Sequence, residues 1–419
     1  MDGPGREFLK DGVLMLTVLS LLDDRLRPKG ARDPLAIESI WSAVGRKLVG
    51  NLTTVTSRAD HFMVALLACR YAHEGSRSRS LDDVQERYAR AEQLAAYLRL
   101  EASLEASLLG RQLAVANFRR DSMALGMHKK AQILSNQLSY GLWGLYSSAL
   151  QEAGLIKGSD RRLTCAGIAL TDALLETFGL SQWQRFGELA TQGAVRKEQL
   201  SQLARRFAAL LNDQGMRKKL VSALLRYAGA RPLQVALYEA VQHWLAVSAE
   251  PSASVRSFAR WAVDAHQVDA QVQDVLKQIL LLQPVLVFAN TVVVWLQRQN
   301  GRARSELAND LHSRLGEPFL HPGWDRPGLP HAGFLQGLTD AANDGDAGQL
   351  IDQLMAQNGA VTGARGGAAW LHWEGDRLRV RVPVDRASLP ENLAAHCHQA
   401  WDYSFFLHAF LSIARAEHA

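Results

Sequence analysis

The sequence predicts a mainly α, multi-domain helical protein with a small C-terminal α+β part, and three observations carry that prediction. Apolar residues recur at helical spacing over most of the chain. Convincing period-two alternation occurs at one place, on either side of Glu374-Gly375-Asp376. At 419 residues, 47% hydrophobic and 21% charged, the chain exceeds one ordinary domain and can fill more than one core.

In chain order, 9–26 is the first helical stretch. Asp33-Pro34 then sets a helix start, because proline in a first turn forfeits no hydrogen bond, and a helix over 34–49 follows. The polar stretch 52–57 leads into a helix over 59–72, where Thr53, Thr54 and Thr56 are available as caps and Arg58 to pin a neighbouring helix end. EGSRSRS at 74–80 is a loop whose last residue, Ser80, caps the next helix, with Asp82 and Asp83 in the first turn where negative charge suits the dipole. That helix extends to about Leu100, and another is expected over 103–118. A second unit starts near Ser122 with a helical run over 127–152. Helices resume over 181–314, and Pro318, Pro322, Pro327 and Pro330 mark a linker. The expected division is therefore 1–121, 122–180, 181–315, a linker at 316–333, and 334–419. In the last region, strands at 370–373 and 378–384 form a hairpin that is marginal alone. A final helix over 390–416, bearing Trp401, Tyr403, Phe405, Phe406 and Phe410, is expected to cover it.

Composition excludes several classes. Three dispersed cysteines, Cys69, Cys165 and Cys397, do not make a disulfide scaffold or a zinc ribbon and suit a reducing compartment. The opening MDGPGREFLKDG lacks the basic and apolar regions of a secretory leader, so a cytoplasmic location is expected. The apolar stretch 279–296 has the length of a bilayer span, but Gln283, Pro284 and Asn290 interrupt it and it has no companion of that length. A core helix is the expectation, with no membrane partner. A formal charge of +5 permits an anionic partner without requiring one.

Catalytic signatures are sparse. GxxxxGK[ST], HExxH, GxSxG and GxGxxG are absent. His396-Cys397-His398 offers ligand-type side chains, but helical residues two apart point about 200° from each other, so a buried Cys397 is expected and no metal or other cofactor. Asp60-His61 lacks a nucleophile at hand and reads as surface chemistry. Asp340, Asp344, Asp346 and Asp352 raise a metal-dependent nuclease as an alternative, although aspartate in TDAANDGDAG also serves caps and turns.

One pattern has some specificity. LWGLYSSALQEAGLIKGSDRRLTCAGIALTDAL combines an amphipathic helix, Gly154-Leu155-Ile156, a charged turn, Leu163-Thr164 and Gly167. Gly154 suits a left-handed helix cap, Thr164 an N-cap, and Gly167 a close helix approach. Over 122–180 this resembles the LxxxGLI…LTxxGxxL pattern of winged-helix domains. The resemblance implies a helix that meets DNA and a basic, solvated wing. It would bring Ser135, Asn136, Gln137 and Ser139 toward bases or backbone and Lys129, Lys130, Lys157, Arg161 and Arg162 toward phosphates. Leu142, Trp143 and Leu145 stand where a base-reading helix is polar, so protein docking or sequence-independent contact with double-stranded DNA is expected instead. The order of the 40–72 segment (with Leu52-Thr53-Thr54, Thr56, Arg58 and Phe62), the LxxxGLI…LT unit, the late hairpin and the aromatic end also resembles poorly characterised bacterial proteins associated with phage defence. Together these lead us to expect a non-catalytic subunit or adaptor of a bacterial complex, partnered by other protein subunits. The alternatives are the nuclease and a winged-helix transcription regulator.

Overall fold

Each helix start is decided by which group meets the unpaired N–H groups of its first turn. In the computed structural model, which describes residues 33–75, 79–104, 108–248 and 254–418, Asp33 does this across a turn: its carboxylate accepts from the N–H groups of Ile37 (2.7 Å) and Glu38 (2.9 Å). The helix accordingly begins at Ile37, running Ile37–Leu48, three residues later than the proline signal places it. Ser80 and Thr164 cap as expected, accepting from Asp83 N and Gly167 N, both at 3.1 Å. The threonines of 53–56 do not cap. Thr56, fully buried, closes its own turn by bonding Thr53, and the helix Ala59–His73 begins at Arg58 with no side-chain cap. The expected 9–26 helix lies outside the described residues, and the helix expected from Ser103 is Arg111–Phe118.

The chain is mainly α and folds into two compact units. The first takes in 33–44 and 274–405, the second 45–273 and 406–418.

Residues 274–296 of the apolar helix Ala270–Leu296 belong to the first unit and are largely buried. The helix is long and apolar enough to cross a membrane by length and composition, and 67% of its most apolar window is buried inside the protein. Its polar interruptions are anchors. Gln278 Nε2 donates to the Trp324 carbonyl (2.8 Å), and Gln297 Nε2 to the Val382 carbonyl (2.8 Å). Gln283, its amide oxygen turned to them, accepts from the N–H groups of Asp402 and Tyr403. The stretch 316–333 is therefore not a linker: Trp324 within it is fully buried, and Leu320 exchanges two bonds with the Asn343 side chain. Both its ends belong to the same unit.

The hairpin Leu371–Glu374/Arg377–Val380 pairs antiparallel through Leu371↔Val380 and Trp373↔Leu378. It rests on the helix Ala347–Ala364, where Asn358 Oδ1 accepts from the N–H groups of Trp370 and Leu371 and Asp352 from Trp373 Nε1. That corrects the expected cover from the last helix. The expected 390–416 helix is two, Leu393–Gln399 and Leu407–Arg415, separated by 400–406, in which Phe405 and Phe406 take φ 46° and 60°. The first ends at Ala400, which turns extended at ψ 147°, and the left-handed pair, a conformation bulky side chains rarely take, immediately precedes the second.

In the second unit, Ala59–His73 and Leu81–Glu101 form a helix pair joined by a short link and buried on most sides. Cys165–Phe178, Leu180–Thr191, Ser201–Leu211 and Gln214–Leu225 surround it. The helical run expected over 127–152 is broken into Gln137–Tyr140, Leu142–Leu145 and Ser147–Glu152. Ile156 pairs with Leu163 in one two-stranded ladder, while Met123 pairs with Val195 in another. Gly154 takes φ 68°, as a left-handed cap requires. A Cβ on Gly167 would stand 2.0 Å from the Leu155 carbonyl oxygen. Gly167→Ala therefore destabilises by about 1–3 kcal/mol, the cost of overpacking, whereas helix propensity alone favours alanine by about 1 kcal/mol. The urea midpoint of the variant separates the two signs.

Candidate functional site

The helix pair of the second unit carries charge inside its core. Asp60 accepts from Arg99 Nη2 at 2.5 Å and from Arg58 Nε at 3.1 Å. Arg99 is 4% exposed. Burial pushes the Asp60 carboxyl up, but Arg99, His61 and Arg58 outweigh it and hold its pKa down to about 2. His61, also buried, lies 2.9 Å through Nδ1 from the Tyr146 hydroxyl, which donates to the Val55 carbonyl. The reading of Asp60-His61 as surface chemistry is thus corrected. Neither side chain is presented to solvent as a free base, because both are tied into the core.

Glu92 lies one face along. Its carboxylate accepts from Leu142 N (2.7 Å) and Gln137 Nε2 (2.8 Å). Burial raises its pKa to about 7 against the opposing pull of those two donors. A cavity between Glu92, His61 and Arg99 holds about 20 Å3, room for a single water and for no substrate. On this inner side the buried charges are thus a structural network with no room for a ligand.

An open cleft lies on the outer side of the same network. Ser57, Arg58, Asp60, Arg217, His408 and Arg415 line it, and it encloses about 480 Å3, within the range of small-molecule sites. Arg58 precedes the Ala59–His73 helix, Arg217 belongs to Gln214–Leu225, and Arg415 ends Leu407–Arg415, so three elements contribute a guanidinium each. Arg415 lies over the Trp244 ring at 5.2 Å, and Arg217 donates to the Leu211 carbonyl at 2.9 Å. Two other grooves, of about 370 and 410 Å3, each set one base against one acid: Arg314 with Asp310, and Arg185 with Glu198. Among these three, the cleft at Arg58 alone carries a cationic excess.

The residues singled out by sequence separate into two groups. Lys129, Lys130 and Lys157 are exposed, with no ion-pair partner among the described residues. Gln137, expected to approach DNA, is 1% exposed and holds Glu92 and the Ile133 N–H instead. Asn136 is exposed but caps its own short helix, accepting from Ser139 N. Arg161 and Arg162 are not free wing charges. Arg161 is half-buried over the Trp143 ring at 5.2 Å, and Arg162 pairs with Asp160 at 3.0 Å.

The acidic residues of the 340–352 region do not converge. Asp340 accepts from Gln336, Asp346 caps its helix at Gln349, and Asp352 pairs with Arg304. Cys397 is buried, with its thiol pushed up to about 12 by burial. No group of three or more metal-type ligands occurs among the described residues.

No family model, curated protein or solved structure matches this chain.

Sequence reasoning missed Glu92, Arg99, Arg217 and Arg415. A signal existed for the first two. They stand seven apart on one face of a helix, with Ala95 and Ala96 between them in an apolar run, and a charge inside such a stripe is unusual. No signal existed for the others, because only the fold brings positions 58, 217 and 415 to one cleft.

Proposed function

We propose that the protein is a non-catalytic subunit of a bacterial multi-protein complex, acting in defence against foreign DNA. Its 122–180 segment, a winged-helix-like unit, contacts partner proteins or duplex backbone without reading sequence. The observation that supports this most is the division of polar groups in that segment. Gln137 is turned inward and Asn136 is used as a cap, while Lys129, Lys130 and Lys157 stay exposed, as do the small hydroxyls of Ser135 and Ser139. Exposed amines meet phosphates but carry no base information. Tyr140, 58% exposed in the same segment, adds an aromatic contact of the kind enriched at protein interfaces. The defence setting is supported by the resemblance in chain order.

A sequence-specific regulator finds less support, because the segment that would read bases is broken into short helices and packs inward. A metal-dependent nuclease finds less as well, since Asp340, Asp346 and Asp352 are each engaged separately.

The test is fluorescence anisotropy with two unrelated duplexes at low and moderate salt. Wild type binds both equally, and Lys129→Glu, Lys130→Glu and Lys157→Glu together flatten the salt dependence by roughly three phosphate contacts, each worth a slope of about −0.9. Supercoiled plasmid incubated with magnesium or manganese stays intact. Cleavage in that assay, or a marked preference for one duplex, contradicts the reading.

A further inference from the structure

We propose that the cleft at Arg58, Arg217 and Arg415 is a binding site for a phosphate monoester. Charge is the first reason. The lining sets three guanidiniums against one carboxylate, an excess of two positive charges. That carboxylate, Asp60, is shared between Arg58 on the cleft wall and the buried Arg99 behind it, so its negative charge is matched twice over and the guanidiniums of Arg217 and Arg415 keep the wall cationic. A phosphate monoester carries about 1.5–2 negative charges at neutral pH and matches the excess, whereas a carboxylate supplies one.

Geometry is the second reason. Three arginines on separate elements, rather than a run along one helix, can approach an oxyanion from different sides, and guanidinium presents paired donors to phosphate. The wall at 57–60 is also the start of a fifteen-residue helix whose first turn has no side-chain cap. Its N–H groups and its dipole add positive potential of the same sign. Ser57 and Ser412 place hydroxyl donors on the lining, and His408 a ring.

Size is the third. About 480 Å3 exceeds what inorganic phosphate fills and suits an ester of metabolite dimensions. The same chemical group is found on free phosphorylated metabolites and at the 5′ end of a nucleic-acid strand.

Isothermal titration of the full chain separates these sources. The probes are inorganic phosphate, a nucleoside 5′-monophosphate, and a short oligonucleotide with either a 5′-phosphate or a 5′-hydroxyl. Saturable binding of the monophosphate, displaced by inorganic phosphate, is expected. Arg217→Gln weakens it roughly tenfold or more, as loss of a charge-assisted hydrogen-bond pair should. Arg217→Lys, which keeps the charge but not the fork, loses less. If the 5′-phosphate oligonucleotide binds and its 5′-hydroxyl twin does not, the source is a strand end; if neither binds while the monophosphate does, it is a small molecule. Both results support the site. Should Arg217→Gln unfold, Ser412→Leu, at a half-buried position, blocks the cleft without touching its charge and weakens binding equally. No saturable binding at millimolar concentrations of any probe overturns the proposal. So does binding undiminished by Arg217→Gln or Ser412→Leu in protein with wild-type circular dichroism.

Discussion

Asp60→Asn lowers the unfolding free energy of the second unit by about 3–5 kcal/mol, the usual cost of removing one partner from a buried ion pair. Arg99, 4% exposed, then keeps its charge in a low-dielectric core without the carboxylate that stabilises it at 2.5 Å. A surface pair would cost less than about 1 kcal/mol, so the magnitude itself separates the two situations. The double variant Asp60→Leu/Arg99→Met recovers much of the loss, because apolar groups of similar size remove both charges together. Urea midpoints of the three proteins check this. A loss below 1 kcal/mol for Asp60→Asn would mean that water reaches Arg99. The pH dependence has a definite sign as well. The Asp60 pKa, about 2 when folded, lies below its unfolded value, so its stabilisation is complete above about pH 4 and is lost as pH falls through 2.

Glu92 behaves in the opposite sense. Its folded pKa of about 7 lies above the ordinary glutamate value of about 4.3, so between those values the folded protein holds a proton that the unfolded chain has released. Stability therefore falls as pH rises from about 4 to 7, and the full cost, on the order of 3 kcal/mol, is present above 7. Glu92→Gln removes the titration. The variant is less stable than wild type at pH 5, where protonated Glu92 suits its site, and equals or exceeds it at pH 8. Denaturant unfolding of both proteins at the two pH values reads the crossing directly. Parallel curves would place the titrating group elsewhere.

The two networks also explain what could be read in advance and what could not. Helical class, the caps at Ser80 and Thr164, the Gly154 turn and the hairpin around Gly375 all follow from residues within a few positions of each other. Such features are written locally, and local physics recovers them. The linker reading at 316–333 failed because proline and glycine report backbone shape, not burial, and Trp324 sits in the core regardless. The state of the arginines at 161 and 162 was hidden for a related reason. Arg161 and Arg162 look like free charges in a string of letters, yet a ring at Trp143 and a carboxylate at Asp160 engage them. The cleft is the extreme case, assembled from positions 58, 217 and 415, whose separation in sequence hides any relation.

The glutamines of the apolar helix have a consequence for synthesis on the ribosome. Gln278 and Gln297 bond carbonyls 46 and 85 residues further along the chain, so their partners do not exist when the helix first emerges. At translation rates of roughly 5–20 residues per second, the interval before Val382 is made is on the order of ten seconds. Through all of that time the apolar helix lacks the partners of Gln283 and Gln297, and for the first part of it that of Gln278 as well. A nascent chain stalled before residue 382 thus presents this helix to whatever hydrophobic surface is nearest, and the 370–405 segment acts, in effect, as its late-arriving lid.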